Sequence, residues 1–300
     1  MIRNFKELYK TAQEQETKVV AVAQAADDDV LKALKQAMDQ NIVKPLLYGD
    51  QDQIKAAALS ASIDLSGMDI IHVADPSRVG LEAVKAVKEG RAHMFMKGLI
   101  STSDFLRALL NKEHGIPSGK LLSHVAVISS DKYDRLIFLT DAAMNIAPDL
   151  QEKVGIINNA VECARKLGVE CPKVAAVCAV EAVNPKMPAT YDAAVLAKMS
   201  DRKQFKNCIV DGPFGLDNAV SEDSARHKGI TGPVAGKADI VLTPDIEAGN
   251  VFYKTISFFS DASIAAVIVG AAAPVVLTSR ADSAQTKLYS LCLAAVLAGK

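Results

Sequence analysis

A chain of 300 residues, 50% of them apolar, has enough material to bury two cores of ordinary size. With 34 Lys plus Arg against 35 Asp plus Glu the formal net charge is −1, so no bulk field draws the molecule onto nucleic acid or anionic lipid and a small-molecule partner is expected. Its 17 Gly, 11 Pro and 5 Cys, spread over this length, exclude a collagen-like repeat, low-complexity disorder and a disulfide scaffold.

The opening segment, MIRNFKELYKTAQEQETK, is charged throughout and lacks the apolar centre and small-residue cleavage site of a secretory signal, which points to the cytoplasm. Beyond it, short runs rich in Val and Ile alternate with longer amphipathic stretches. That alternation predicts parallel βα units covered by helices on both faces, the α/β class. KVVAVA (18–23), VKPLLYG (43–49), DIIHVAD (69–75) and HMFMKG (93–98) read as strands, with helices filling the gaps. One helix begins at DDDVLKALKQAMDQ, where Asp27, Asp28 and Asp29 supply N-terminal carboxylates and Val30, Leu31, Leu34 and Met38 form an apolar stripe at helical spacing.

The segment NKEHGIPSGK (111–120) is turn-rich and breaks the βα rhythm, as a crossover between domains would. LLSHVAVISS (121–130) and RLIFLTDA (135–142) follow, joined by a short polar stretch, and read as a hairpin. A second α/β stretch then holds helix 149–168, strand 173–180, helix 189–200, strands 207–213 and 238–244, and helix 247–259. The longest apolar run, 263–278, contains Gly270 and Pro274 and falls short of the ~20 residues needed to span a bilayer. It reads as buried strand and turn, with no membrane partner. PVVLTS (274–279) is the last strand and leads into the helix DSAQTKLYSLCLAAVLAG.

Several common chemistries have no motif here. The 17 glycines include no G-x-G pair, so the dinucleotide fingerprint is missing. The Gly-Lys pairs at 236–237 and 119–120 fail the phosphate-loop pattern, which would need glycine where Thr231 and His114 stand. No G-x-S-x-G elbow occurs, and the five histidines have no tight ligand spacing, so no metal site is expected. Cys163, Cys171, Cys178, Cys208 and Cys292 include no C-x-x-C and read as buried free thiols.

Two segments carry charge-binding chemistry. In FMKGLISTSDFLRALL (95–110), a strand end is followed by Lys97 and Gly98, then by Ser101, Thr102 and Ser103 at a helix start, with Arg107 about one turn inside. A helix N-terminus offers free amide hydrogens and partial positive charge, and the two basic side chains add full charges, so an anion would be held here. The same hydroxyls can equally be ordinary helix caps. In TSRADSAQTK (278–287), a strand again delivers Ser279, Arg280, Asp282 and Ser283 to a helix head. That repeats the anion pattern; the alternative is a cap at Asp282 paired on the surface with Arg280. Between the two lie three Asp-, Asn-, Gly- and Pro-rich turns beside buried strands, from which Asn145 and Asn250 are candidate donors to a ligand.

ISTSDFLRALL, TDAAMNIAPDL, GPVAGKADIVLTPDIEAGNVFYK and PVVLTSRADSAQTKLYS together resemble the phosphate acetyl/butyryltransferase family, on the butyryltransferase side. The resemblance implies two three-layer α/β domains with a cleft, similar to isocitrate and isopropylmalate dehydrogenases but without their nicotinamide site. Domain 1 would be discontinuous, 1–112 with 273–300, and domain 2 would be 113–272. The implied reaction exchanges a short-chain acyl group between coenzyme A and inorganic phosphate, by direct thiolate attack on an acyl phosphate. It needs no tightly bound cofactor, no metal and no covalent acyl-enzyme; coenzyme A is a substrate. In that mapping Ser279, Arg280 and Asp282 are catalytic, with Asp282 the base for the thiol. Lys97, Ser101, Thr102, Arg107, Asn145 and Asn250 hold phosphate or acyl phosphate. In the acetyltransferase branch the base is an Asp six residues beyond the counterpart of Arg280, where this chain has Thr286. The resemblance also implies assembly into a homodimer or larger homo-oligomer. Alternatives are a phosphate acetyltransferase and a non-catalytic coenzyme A or acyl-phosphate binder of the same fold.

Overall fold

The computed structural model describes residues 1–279 and 282–299. In chain order the first elements are α1 (Phe5–Glu14), β1 (Lys18–Ala23), α2 (Asp28–Asp39), β2 (Val43–Gly49), α3 (Gln51–Ser60), β3 (Asp69–His72), α4 (Val79–Lys88), β4 (Met94–Lys97) and α5 (Thr102–Leu109). The middle of the chain forms β5 (Ser123–Ser129), β6 (Ile137–Thr140), α6 (Leu150–Lys166), β7 (Lys173–Val177), α7 (Pro188–Asp201), β8 (Ile209–Phe214), α8 (Leu216–Val220), α9 (Glu222–His227), β9 (Ile240–Leu242) and α10 (Ile246–Phe259). The last elements are β10 (Ser263–Val269), β11 (Val275–Val276) and α11 (Ala284–Leu297). The class is mixed α/β, and the chain divides into two compact units.

One unit is Phe5–Lys120 with Ala265–Lys300. Its strands run β3-β2-β1-β4-β11-β10, parallel except for β11 against β10. β1 and β4 are buried along almost their whole length, as parallel strands covered by helices must be, which is why their sequences read as continuous apolar runs. Phe95 on β4 stacks on Phe105 of α5, ring centroids 4.2 Å apart and planes 10° from parallel, and this fixes α5 against the strand that feeds it. α11 packs on α1 and α2. Leu288, Leu291, Cys292, Leu293, Ala294 and Ala295 are all buried, so α11 is apolar around its circumference. α2 starts where its Asp cluster predicts, the Asp27 carboxylate accepting from the Val30 amide at 2.8 Å.

The other unit is Leu121–Ile264 with Met1–Asn4. Its strands run β5-β6-β9-β7-β8, with β5 and β6 the expected antiparallel hairpin, Ala126 opposite Leu139, and the rest parallel. α6 begins with a capping box, Asp149 accepting from the Glu152 amide and Glu152 from the Asp149 amide, both at 2.8 Å. Met1–Asn4 is held by the Ile2 amide on the Leu167 carbonyl at 2.8 Å.

Elsewhere the structure departs from the sequence reading. β3 stops at His72 because it is an edge strand with little burial to sustain it. The polar turn expected after β8 contains the two short helices α8 and α9, the latter capped by Ser221. The 263–278 run divides into β10, a turn and the two-residue β11. Among the described residues no helix is long and apolar enough to cross a membrane. Cys163, Cys178 and Cys292 are buried free thiols, and burial pushes Cys163 and Cys292 up to about 12 and Cys178 up to about 11. Cys171, however, is exposed and Cys208 half-buried, because both lie just ahead of their strands.

Candidate active site

The chain runs β1, β2, β3 in one direction across the first unit's sheet, then crosses back over β1 to lay down β4 on its far side. The carboxyl ends of β1 and β4 therefore open onto a topological switch point, the place where open α/β sheets bind ligands. Just past β4 the Gly98 amide donates to the Ala23 carbonyl at 2.9 Å, and the Leu99 amide to the Gln24 carbonyl at 2.7 Å. A Cβ on Gly98 would fall 2.1 Å from the Gln24 carbonyl oxygen, so only glycine permits this approach. Lys97 is buried, with its ammonium 3.2 Å from the Gly98 carbonyl. A cavity of about 90 Å³ is lined by Gln24, Gly49, Asp50 and Leu99, among others.

α5 begins at this strand end. Ser101 is its N-cap, accepting from the Asp104 amide at 3.1 Å and donating to the Asp104 carboxylate at 2.7 Å. The ordinary capping role left open for this hydroxyl is thus present. Thr102 and Ser103 are exposed in the first turn. Arg107 is exposed too and pairs with Asp104 at 2.5 Å. The Ser101 hydroxyl first, and then the Arg107 guanidinium, hold the Asp104 carboxyl below the usual carboxylate range.

β11 lies next to β4, parallel and in register, Val275 opposite Phe95 and Val276 opposite Met96. Two segments remote in sequence, the one that follows Lys97 and the one that follows Val276, consequently leave the same end of one sheet from adjacent strands. Ser279 and Asp282 close a tight loop: the Ser279 amide donates to the Asp282 carboxylate at 2.7 Å and the Asp282 amide to the Ser279 carbonyl at 3.1 Å. Asp282 is buried, and the α11 cap is its neighbour Ser283, which accepts from the Thr286 amide at 3.1 Å. Arg280 lies outside the described residues. Lys287, which the sequence reading passed over, is buried in the first turn of α11 and its ammonium donates to the Asp282 carbonyl. A lysine that gives up solvation to grip a backbone carbonyl holds Asp282 against the first turn of α11.

In the other unit the carboxyl ends of β6 and β9 meet. Asp141, also missed in the sequence, is buried just past β6 and accepts four hydrogen bonds. They come from the amides of Ala143 and Met144, both at 2.9 Å, the amide of His124 at 3.1 Å and the side-chain amide of Asn145 at 2.6 Å. Asn145 also donates to the Leu122 carbonyl at 2.9 Å, which ties the loop after β6 to the residue just ahead of β5. Asn250, in the first turns of α10, donates to the Ala142 carbonyl at 3.2 Å. A Cβ on Gly249 would sit 2.2 Å from the Asp141 carbonyl oxygen, which is how α10 comes so close to the loop. Further along, the Lys228 ammonium bridges Glu181 at 2.6 Å and Asp217 at 3.0 Å and holds both carboxyls below their usual range.

Adjacent parallel strand ends, each feeding a hydroxyl-rich helix start beside a buried lysine, are the frame of an α/β enzyme. The chain belongs to the phosphate acetyl/butaryl transferase family, whose model matches residues 4–82 and 75–295. It is an acyltransferase. It is 54% identical over 300 residues to a phosphate butyryltransferase of Clostridium beijerinckii, covering 100% of this chain and 99% of that one. It is 45% identical over 281 residues to a phosphate acetyltransferase of Thermotoga maritima, covering 94% and 95%. Among solved structures it is similar to a branched-chain phosphotransacylase from Enterococcus faecalis, with a TM-score of 0.84 at 34% identity over 94% of this chain and 99% of that one.

Proposed function

We propose that this acyltransferase exchanges a short acyl group between coenzyme A and inorganic phosphate, with butyryl the favoured acyl group and acetyl the alternative. The observation that supports the reading is the register of β4 beside β11: β4 ends at Lys97, ahead of Thr102, and the chain after β11 reaches Ser279 and Asp282. Resemblance to relatives named for these reactions supports it.

In the direction of acyl-CoA synthesis, Lys97, Thr102, Ser279 and Arg280 bind the phosphoryl oxygens of the acyl phosphate, helped by the first amides of α5 and α11. Ser101 and Arg107 shape the start of α5, and Asn145 and Asn250 shape the loop after β6. A thiol near the cysteine value of ~8.5 is mostly protonated at neutral pH, so a carboxylate that takes its proton raises the thiolate fraction. Asp282 has that role. The thiolate attacks the acyl carbonyl carbon, the C–S bond forms, the C–O bond to phosphate breaks, and phosphate leaves with the electron pair. Arg280 meets the charge that develops on the carbonyl oxygen and on the departing phosphate. Alignment of two bound substrates contributes roughly 7–11 kcal/mol in well-oriented cases, so no covalent intermediate is required. Thr286, in place of the acetyltransferase branch's aspartate, is exposed to no such task and lies instead in the Ser283 cap.

The two-domain, dehydrogenase-like arrangement, the cytoplasmic setting, the homodimer and the lack of a tightly bound cofactor belong to the same proposal. Pure protein given butyryl-CoA, phosphate and a thiol reagent is expected to release free coenzyme A at a rate that depends on phosphate. Silence with acetyl-, propionyl-, butyryl- and valeryl-CoA would overturn the reading; if coenzyme A then raised the melting temperature, the chain would be a binder without turnover.

A further inference from the structure

Lys287 carries the only charged side chain of α11 and stands in the first turn of that helix. It is 3% exposed. Lysines are almost never buried so far without a carboxylate partner. Lys153 and Lys18 follow that rule, Lys153 pairing with Asp192 at 2.5 Å and Lys18 with Glu16 at 3.7 Å. Lys287 does not. Its ammonium donates to the Asp282 carbonyl, and among the described residues no carboxylate forms an ion pair with it. The first turn of α11 holds no acidic residue, and the Asp282 carboxylate accepts from the Ser279 amide instead.

The position makes this charge costlier still. The N-terminus of a helix carries partial positive charge, so a cation in its first turn is repelled, and burial removes the water that would screen it. The loop from Ser279 to Asp282 leads into the same turn, and β11, which feeds that loop, lies beside β4. Two buried ammoniums thus follow adjacent strands and grip backbone carbonyls, Lys97 that of Gly98 and Lys287 that of Asp282. An anion bound at these strand ends would offset both charges. We propose that Lys287 is a positioning residue for phosphate: its ammonium holds the loop through the Asp282 carbonyl, and its charge is met when the phosphoryl group binds on that loop. This rests on the phosphate-exchange reading. Lys287 need not touch the substrate, because a charge in buried surroundings acts across a few ångströms with little screening.

Thermal melts with and without inorganic phosphate, against chloride at matched ionic strength, read this charge apart from turnover. Wild type is expected to gain roughly 5 °C at saturating phosphate. Without phosphate, Lys287→Met is expected to melt at or above the wild-type temperature, since an uncharged chain of similar length removes the cost of burying the ammonium. It should also lose most of the phosphate gain. Lys287→Gln, which keeps a donor and drops the charge, should lose that gain too. In kinetics of the same preparations, KM for phosphate should rise at least about tenfold while kcat at saturating phosphate changes by less than about threefold. A Met variant that melts several degrees below wild type without phosphate yet keeps the full phosphate gain would make Lys287 a purely structural donor and overturn the inference. So would a wild type that phosphate does not stabilise. Coenzyme A release measured alongside separates the two readings. Stabilisation by phosphate that is lost in both variants, in a protein without turnover, refutes the reaction and leaves the inference. An active wild type whose variants keep both the phosphate gain and the KM does the reverse.

Discussion

Replacing Arg280 with Ala is expected to lower kcat/KM for acyl transfer by about 10²–10³-fold, the range seen when one donor to a developing oxyanion is removed. If its role is in substrate binding alone, the melting temperature should move by no more than about 2 °C, which corresponds to about 0.5 kcal/mol. The expectation follows from the role proposed for Arg280, which directly follows Ser279 in the sequence. A guanidinium there offers two parallel N–H donors to a phosphate edge, and Arg280→Lys should restore only part of the loss because an ammonium acts as a point charge. Steady-state kinetics and a thermal melt of the same preparations decide the matter. Parallel losses of activity and stability would make Arg280 a structural partner.

The largest effect on stability is expected from Asp141→Ala. One buried carboxylate serves the amides of His124, Ala143 and Met144 and the side chain of Asn145, at 2.6 to 3.1 Å. Each buried donor left without an acceptor costs about 1–3 kcal/mol, and even with partial relaxation the sum should exceed about 4 kcal/mol. For a protein of this size that corresponds to roughly 10 °C in melting temperature. Asp141→Asn keeps one oxygen but turns an amide donor toward other donors, so it should recover less than half of the loss. Calorimetry reads the difference directly; a loss below about 1 kcal/mol for the Ala variant would mean that the loop after β6 is held by other means.

How much of this was legible in the sequence depended on whether the signal was local. β1 and β2 begin and end where their Val- and Leu-rich runs do, because parallel strands under helices are buried on both faces. Asp27 announces α2 because a cap is a short-range bond between a side chain and amides two or three residues on, and the same kind of bond at Asp149 starts α6. α8 and α9 are too short to build a helical period and so read as turn. The exposed side of α10 was hidden for a different reason: apolar residues occur all round this helix, and periodicity cannot tell which of them the fold covers. At the site, hydroxyls and basic residues after an apolar run were readable at 97–107 and again at 278–283. What no local pattern contains is the pairing of β4 with β11, which sets them side by side. Asp141 and Lys287 escaped because a buried charged side chain is recognised by its partners, and theirs are carbonyls and amides supplied by the folded chain.

The most direct test is a double-mutant cycle between the two strand ends, Thr102→Val and Ser279→Ala singly and together, with kcat/KM for phosphate measured at each corner. If both hydroxyls hold one phosphate, the double variant should lose less than the product of the single losses, with a coupling of about 1 kcal/mol or more. Losses that simply multiply, to within about 0.3 kcal/mol, would place the two hydroxyls on separate ligands and contradict a shared phosphate site at the ends of β4 and β11.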